Sequence, residues 1–240
     1  MSQPESRVEP EIRVEPEIRV EPEIRVERDG PYQVIGPLPI SRTSTVKTEF
    51  GEPVDYAPFE PLEAGETYRL CRCGRSGSKP FCDDSHLEEP RVDVTERADH
   101  GPRDDRTDVF QAEDGAIISD DLSICTKAGF CKDRFTGVWQ MLGDADPAVR
   151  ERMSRMVQLC PSGRLAWADR VDAPDHEPDY EPEIGVFRNG PLFVRGGVRV
   201  VGADGEPYEI RNRQTLCRCG HSRNKPFCDG SHTIVGFRDG

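Results

Sequence analysis

Nine cysteines, divided into three groups of three, are the feature that most limits what this chain can fold into. An odd number of cysteines in tight local groups argues against a framework of disulfide bonds. In a reducing compartment such groups more often hold metal. The groups are Cys71, Cys73 and Cys82; Cys125, Cys131 and Cys160; and Cys217, Cys219 and Cys228. We therefore expect three metal sites along the chain.

The composition favours small, loop-rich modules over one large core. Of the 240 residues, 35% are hydrophobic and 32% are charged, and the chain contains 22 glycines and 21 prolines. Modules of this kind are usually stabilised by something besides apolar packing. The formal net charge of −13 argues against nucleic acid or an anionic membrane as a partner.

The sequence also shows no targeting or membrane signal. No stretch approaches the roughly 18 consecutive apolar residues of a membrane span. Residues 1–13 lack the apolar segment of a secretory signal and carry glutamates, unlike a transit peptide. We therefore expect a cytoplasmic protein.

Two of the cysteine groups share their spacing and each ends in a histidine. In both, a Cys-x-Cys pair is followed after eight residues by a third cysteine and, after three more, by the histidine. Three thiolates and one imidazole suit either a tetrahedral zinc or a two-iron cluster. The Cys-x-Cys pair favours the cluster, because two neighbouring thiolates can converge on one iron, and zinc remains the alternative. The predicted ligands are Cys71, Cys73, Cys82 and His86 in the first motif, and Cys217, Cys219, Cys228 and His232 in the second.

Residues 217–232 resemble the motif of the CDGSH iron–sulfur proteins, the family of mitoNEET. The match includes Ser222, Pro226 and the segment 229–231 as well as the ligands. The resemblance implies a [2Fe–2S] cluster held by three cysteines and one histidine in a small β-rich fold. The first motif differs at Asp84, where the family has glycine. Because Asp tolerates a positive φ angle, we expect the turn to survive there.

The histidine ligand sets the expected chemistry of both terminal sites. A neutral imidazole in place of a thiolate makes the cluster less negative and easier to reduce. It can also be protonated near neutral pH, which couples the redox state and the retention of the cluster to pH. His86 and His232 are therefore the expected points of cluster loss.

The central cysteines form a different pattern. Cys125 and Cys131 are followed, some thirty residues later, by Cys160-Pro161. Bacterial ferredoxins use C-x₂-C-x₂-C with a distant Cys-Pro; here Ala128 occupies the middle position. The region resembles the divergent single-cluster ferredoxins. The resemblance implies a [3Fe–4S] cluster, or a [4Fe–4S] cluster with one iron bound from outside, and inert buried cysteines are the alternative.

Internal repeats divide the chain. The hexapeptide Arg-Val-Glu-Pro-Glu-Ile occurs three times over residues 7–24, and proline every sixth residue predicts an extended, solvated tail. The segment 21–31 recurs in similar form at 181–191, and each copy leads through apolar runs to a Leu-Cys-Arg-Cys-Gly sequence. We expect four parts: a repeat tail at 1–28, an N-terminal CDGSH module at 29–89, a ferredoxin-like cluster domain at 90–175 and a C-terminal CDGSH module at 176–240.

The predicted fold class is α+β and loop-rich. The two β-rich CDGSH modules are expected to pack as an intramolecular pseudo-dimer, since family members with one motif form homodimers. The insert is expected to be a small α+β domain. It includes a strand at 116–118 and a helix capped by Asp146-Pro147, with Val149, Met153, Met156 and Val157 on one face.

These features predict a non-enzymatic electron carrier that docks with redox partners. Cluster storage and transfer to apo-proteins is a second hypothesis, and a zinc-binding interaction module is a third. No nucleotide-binding glycine loop, Ser-His-Asp set or paired-carboxylate site is present to suggest an enzyme. A monomer is expected if the two modules pair within one chain.

Overall fold

The computed structural model describes residues 21–239, which form short strands and few helices. The strands are β1 (Glu23–Val26), β2 (Tyr32–Ile35), β3 (Ile40–Thr43), β4 (Thr45–Lys47), β5 (Pro53–Tyr56), β6 (Glu60–Pro61), β7 (Thr67–Leu70), β8 (Asp108–Gln111), β9 (Ile117–Asp120), β10 (Leu165–Ala168), β11 (Glu183–Phe187), β12 (Leu192–Arg195), β13 (Arg199–Val201) and β14 (Arg213–Leu216). The helices are α1 (Val138–Met141), α2 (Pro147–Gln158) and α3 (Ser231–Ile234). The mixed, loop-rich, strand-dominated class predicted from the sequence is confirmed. In the described part of the chain, no helix has the length and apolar character needed to cross a bilayer.

The two terminal modules exchange a strand with each other. The first sheet has the order β13-β1-β2-β7, and the second has the order β14-β12-β11-β3-β6. In the first, β1 pairs in parallel with β13 from the C-terminal module, with Ile24 opposite Val200. In the second, β11 pairs in parallel with β3 from the N-terminal module, with Ile184 opposite Ile40. The other neighbours of β1 and β11 are antiparallel strands of the same module.

One apolar core lies between these two sheets. It contains Ile24, Val34 and Leu70 from the N-terminal module, all without solvent exposure. Residues at matching places in the C-terminal module pack into the same cluster, among them Ile184, Val194 and Leu216. Each module therefore completes its apolar burial with side chains of the other.

The first strand corrects the predicted extent of the tail. Residues 23–26 were assigned to a solvated repeat, but Ile24 and Val26 are buried and face the shared core. The stretch between Pro22 and Pro31 contains no proline, so β1 can form hydrogen bonds along both edges. The earlier repeats, up to residue 20, lie outside the described residues.

The central segment has a core of its own. Strands β8, β9 and β10 form an antiparallel sheet, and α1 and α2 pack on it. The Asp146 carboxylate accepts a hydrogen bond from the Ala148 amide at 2.9 Å, so α2 starts as predicted. Met153 and Val157 are fully buried beneath this helix. The strand predicted at 116–118 corresponds to β9.

The segment at 90–107, which the sequence analysis assigns to the ferredoxin-like domain, packs across both terminal modules. Val94 is buried against Cys71 and Cys73, and its carbonyl accepts a hydrogen bond from Arg72. The amides of residues 97 and 98 donate to the Lys225 carbonyl of the C-terminal module. The segment thus fixes the two metal-binding loops relative to each other.

Candidate metal centres

The C-terminal motif lies in the loop after β14. Cys217 directly follows the strand, and its sulfur lies 3.7 Å from that of Cys219. The Cys228 sulfur lies 3.4 Å from Nδ1 of His232. The four predicted ligands therefore form two pairs, one of two thiols and one of a thiol and an imidazole.

A short turn positions the second pair. The carboxylate of Asp229 accepts hydrogen bonds from the amides of Arg223 and Ser231, each at 2.9 Å. Gly230 follows with φ 81°, a conformation that favours glycine, and α3 then begins at Ser231. This turn places His232 one residue into α3, on the same side as the cysteine four residues before it.

The N-terminal motif repeats this arrangement. The sulfurs of Cys71 and Cys73 are 3.7 Å apart, and the Cys82 sulfur lies 3.6 Å from Nδ1 of His86. Asp84, at the position of the motif glycine, adopts φ 68°. The prediction that the turn survives an aspartate is confirmed.

The two sites differ in what surrounds that turn. The Asp84 carboxylate forms two hydrogen bonds with Arg69, at 2.7 and 3.0 Å, and this contact lowers the pKa of Asp84. Both side chains are nearly half exposed. Cys82 is partly exposed, whereas Cys228 is buried. The N-terminal site is therefore the more open of the two.

The spacing of the donor atoms fits metal coordination. Two thiolates on one tetrahedral metal lie about 3.8 Å apart, and a thiolate and an imidazole lie about 3.5 Å apart, from bond lengths of about 2.3 and 2.0 Å. The two thiol pairs are separated by 3.7 Å, and the thiol–imidazole pairs by 3.6 and 3.4 Å. Each pair is thus preformed to hold one metal atom.

The two ligand loops touch each other through their glycines. A Cβ atom on Gly74 would lie 2.6 Å from the Cys219 carbonyl oxygen, and one on Gly220 would lie 2.5 Å from that of Cys73. Both glycines have positive φ angles. The sites therefore lie back to back, with no room for a side chain between them.

The hydrogen bond between the two thiols of each Cys-x-Cys pair favours the thiolate form of one sulfur and raises the pKa of the other, Cys73 or Cys219. A hydrogen bond from the second thiol of each Cys-x-Cys pair lowers the pKa of Cys71 and of Cys217. The amide two residues further on donates at 3.4 Å to the sulfurs of Cys73, Cys82 and Cys228. Such N–H···S contacts also tune the potential of a bound cluster.

The environment of His232 favours a neutral ring. Burial lowers the pKa of His232, and the positive charge of Arg218 lowers it further. A neutral imidazole keeps a ring nitrogen free to bind metal.

The structure brings the three central cysteines to one cavity. Cys125 follows a 3₁₀ turn at 122–124, and Cys160 follows the end of α2. With Cys131 they line the same cavity, together with Ala128. Among the described residues that line it, there is no fourth thiol or imidazole.

An arginine balances the charge of the central site. Nη1 of Arg164 donates to the Cys125 sulfur at 3.0 Å, while the same guanidinium pairs with Asp120 at 2.5 and 2.7 Å. Burial raises the pKa of Cys131, and the positive charge of Arg164 opposes this effect. A cation beside three thiols suits an anionic cluster.

Three residues that are not predicted ligands support the C-terminal site: Tyr32 and Asp239 lie outside its motif, and Arg218 lies between two of its cysteines. The hydroxyl of Tyr32, on β2, donates to the Cys217 carbonyl at 2.8 Å. The guanidinium of Arg218 is buried, donates to the Gly190 carbonyl at 2.7 Å and pairs with the buried Asp239 at 2.5 Å. The partners of these residues are remote along the chain, so no local sequence pattern predicts the contacts.

Comparisons with known proteins agree with these sites. The family profile described as "Iron-binding zinc finger CDGSH type" matches residues 29–87 and 189–233. The profile described as "Divergent 4Fe-4S mono-cluster" matches residues 112–170. These matches contain all eleven predicted ligands.

Two curated relatives match a short part of the chain. They are the proteins named "CDGSH iron-sulfur domain-containing protein 3, mitochondrial" of Mus musculus and Homo sapiens, each 68% identical over 26 residues. That segment is 11% of this chain, and it spans about a fifth of each relative, 19% and 20%. No solved structure matches the chain significantly. The chain therefore carries two iron-binding segments of the CDGSH family, one towards each end, and a divergent 4Fe–4S mono-cluster segment between them.

Proposed function

We propose that the chain is a non-enzymatic electron carrier with one [2Fe–2S] cluster in each CDGSH segment and a [3Fe–4S] or [4Fe–4S] cluster centrally. When bound, such clusters supply one-electron chemistry. The chain contributes thiolates, a neutral imidazole at His232 and the N–H donors that adjust the charge on the sulfurs.

The separation of the ligand pairs is the observation that carries this proposal. All four ligands of a single zinc lie within about 3.8 Å of one another. Among residues 21–239, only Cys82, Asp84 and His86 form a group of three or more candidate ligand atoms within 4.8 Å. The Cys71 and Cys73 sulfurs lie outside this group, and the C-terminal motif forms no such group. Two separated pairs favour two irons over one zinc.

The central cysteines support a multi-iron cluster by the same reasoning. Cys125, Cys131 and Cys160 line one cavity, yet their sulfurs do not all lie within 4.8 Å of each other in the described structure. A cluster that places each thiolate on a different iron requires such separation. Three protein ligands suit a [3Fe–4S] cluster or a [4Fe–4S] cluster with one iron bound from outside.

The proposal includes a monomer in which the CDGSH modules act as an intramolecular pseudo-dimer. The reciprocal pairing of β1 with β13 and of β11 with β3 supports it, as does the shared core.

The expected partners are a reductase and an oxidase that dock transiently, without nucleic acid or membrane. We place the chain in the reducing cytosol, because all nine cysteines are free; the matched relatives are named as mitochondrial.

One observation favours a second function, transfer of clusters to apo-proteins. Cys82 is only partly buried, and the carboxylate of the adjacent Asp84 lies within reach of the same ligand atoms. An open ligand pair is where an acceptor thiol could approach. This hypothesis assigns cargo to the N-terminal site alone.

Anaerobic purification followed by quantification of iron, sulfide and zinc tests the proposal, together with EPR of oxidised and reduced samples. We expect iron and sulfide at levels that fill three clusters, and reversible reduction. A colourless protein with stoichiometric zinc would overturn it. Mixing with an apo-ferredoxin separates the two functions, since transfer moves the colour to the acceptor.

A further inference from the structure

The central cysteine loop, residues 125–131, contacts the C-terminal CDGSH turn. A Cβ atom built on Gly230 would lie 2.8 and 2.9 Å from Cγ and Cδ of Lys127 and 3.2 Å from the carbonyl carbon of Thr126. Nearby, the Asn224 side chain donates to the Ser123 carbonyl at 3.2 Å. The turn that carries the C-terminal ligand pair is therefore in van der Waals contact with the loop that carries two central cysteines.

The same two loops enclose a groove. It is lined by Lys127 and Pro161 from the central segment and by His232 from the C-terminal motif. Lys127 lies two residues after Cys125, and Pro161 lies one residue after Cys160. A predicted ligand of the C-terminal site and the neighbours of two central ligands thus face one space.

The N-terminal turn has no comparable contact. Within residues 21–239, no hydrogen bond or ion pair joins residues 71–87 to the central segment at 112–170. The position of Gly230 is occupied there by Asp84, whose carboxylate extends to Arg69 instead.

The difference between glycine and aspartate decides which site can accept the loop. Both residues have left-handed backbones, with φ 81° at Gly230 and φ 68° at Asp84, so the turns have the same course. A side chain at 230 would enter the space taken by Lys127 and by the Thr126 backbone. A side chain at this turn would have to displace Lys127, and the N-terminal copy carries such a side chain at Asp84.

We propose that the central site and the C-terminal CDGSH site form one electron-transfer unit within the chain, held together by the contact of Lys127 and Thr126 with Gly230. The inference rests on the proposed function, since it requires clusters at both sites. An external one-electron reductant supplies one electron to the first centre. That centre is then oxidised as the electron passes to its neighbour, which is reduced, and no bond to the protein changes. The N-terminal site joins this unit through the contact of Gly74 with Cys219.

EPR relaxation of the full chain, purified anaerobically and reduced with dithionite, tests the unit. The Cys82→Ala variant removes a ligand of the N-terminal site, and Cys228→Ala removes the matching ligand of the C-terminal site. Because dipolar coupling falls steeply with distance, we expect the remaining [2Fe–2S] signal to relax fast in Cys82→Ala and slowly in Cys228→Ala. Adding Cys131→Ala to the first variant should remove the fast relaxation.

The turn glycine provides a test that retains every ligand. In the Cys82→Ala background, Gly230→Asp should slow the relaxation of the C-terminal signal, with the signal normalised to the iron and sulfide measured in each sample. Asp84→Gly, in the Cys228→Ala background, is the matched control and should leave relaxation slow. The proposed unit would be refuted if the signal relaxed equally fast in Cys82→Ala and in Cys228→Ala. It would also be refuted if fast relaxation persisted in the Gly230→Asp variant.

Measurements of the cluster content and of the reversible reduction of the clusters distinguish this inference from the proposed function. A chain that binds three clusters, is reduced reversibly and shows no coupling refutes the unit alone. A chain without iron and sulfide refutes both.

Discussion

Replacement of Asp239 by asparagine should destabilise the protein through Arg218. The two side chains form an ion pair at 2.5 Å, and each is only 1% exposed. Asparagine retains the shape of the side chain but removes the charge that balances the guanidinium. Breaking a buried pair by changing one partner costs about 3–5 kcal/mol, because the other charge remains buried.

The lower end of that range applies here. Arg218 also donates to the carbonyl oxygens of Gly190 and Phe187, at 2.7 and 2.5 Å, and these bonds survive the substitution. We therefore expect Asp239→Asn to lower the free energy of unfolding by about 3 kcal/mol. For a chain of this size the midpoint of thermal unfolding should fall by roughly 6–12 °C.

Urea unfolding of the intact, cluster-loaded chain, followed by far-UV circular dichroism and by visible absorbance, measures the change. Asp84→Asn is the matched control, because the Asp84–Arg69 pair lies beside the other CDGSH site but is nearly half exposed. Exposed pairs contribute little, so the control should leave the midpoint nearly unchanged. If both variants shift the midpoint equally, the buried pair does not anchor the C-terminal loop and the reasoning is wrong.

Four further outcomes follow from the same geometry. Gly220→Ala should cost about 2–4 kcal/mol, from left-handed strain and overpacking, whereas Gly51→Ala, with φ 81° and open space around it, should show the strain alone in urea unfolding. Tyr32→Phe removes the hydroxyl that donates to the buried Cys217 carbonyl, while the Pro226 carbonyl keeps its bond from the Cys217 amide, so absorbance should show faster cluster loss there and an unchanged N-terminal site. Arg164→Gln removes the cation beside the central cysteines and should lower the potential of that centre alone in an EPR redox titration. Removal of iron should abolish hydrogen-exchange protection at 71–87 and 217–232 but preserve it in β1, β2, β11 and β12.

A specific result would contradict each of these predictions. Equal costs for the two glycine variants would show that the loops tolerate a methyl group between them. Loss of both clusters in Tyr32→Phe, or a shift of every potential in Arg164→Gln, would mean that the effects are not local. Complete loss of protection after iron removal would mean that the shared core cannot stand without the clusters.

The sequence identified the features that are local along the chain. Spacing predicts the eight ligands of the terminal motifs, which lie close together in sequence, and the central set stays a prediction that relies on Cys160, some thirty residues after Cys131. The strand β2 and the helix α2 also follow from local patterns, because apolar alternation and the Asp146-Pro147 cap lie within the elements themselves.

The failures all involve partners that are remote in sequence. Residues 23–26 look like a further repeat of the tail, and only the pairing with β13 makes them a buried strand. The contacts of Tyr32 with Cys217 and of Gly230 with Lys127 join elements that no spacing relates. Patterns report which face of an element is apolar, but they do not report what covers it.

The low apolar content of the chain suggested modules stabilised by something besides apolar packing, and the shared core changes that view. Ile24, Val34, Ile184 and Val194 are fully buried by strands that neither module supplies alone. The ligand cysteines lie outside this cluster, with Cys71 and Cys73 packed separately against Val94. Packing therefore holds the two modules together, and the ligand loops lie outside the shared core. Each module contributes a strand to the sheet of the other, so the strand pairing does not distinguish the two sites. The difference between them lies in their surroundings: the central loop contacts Gly230, and Arg69 pairs with Asp84.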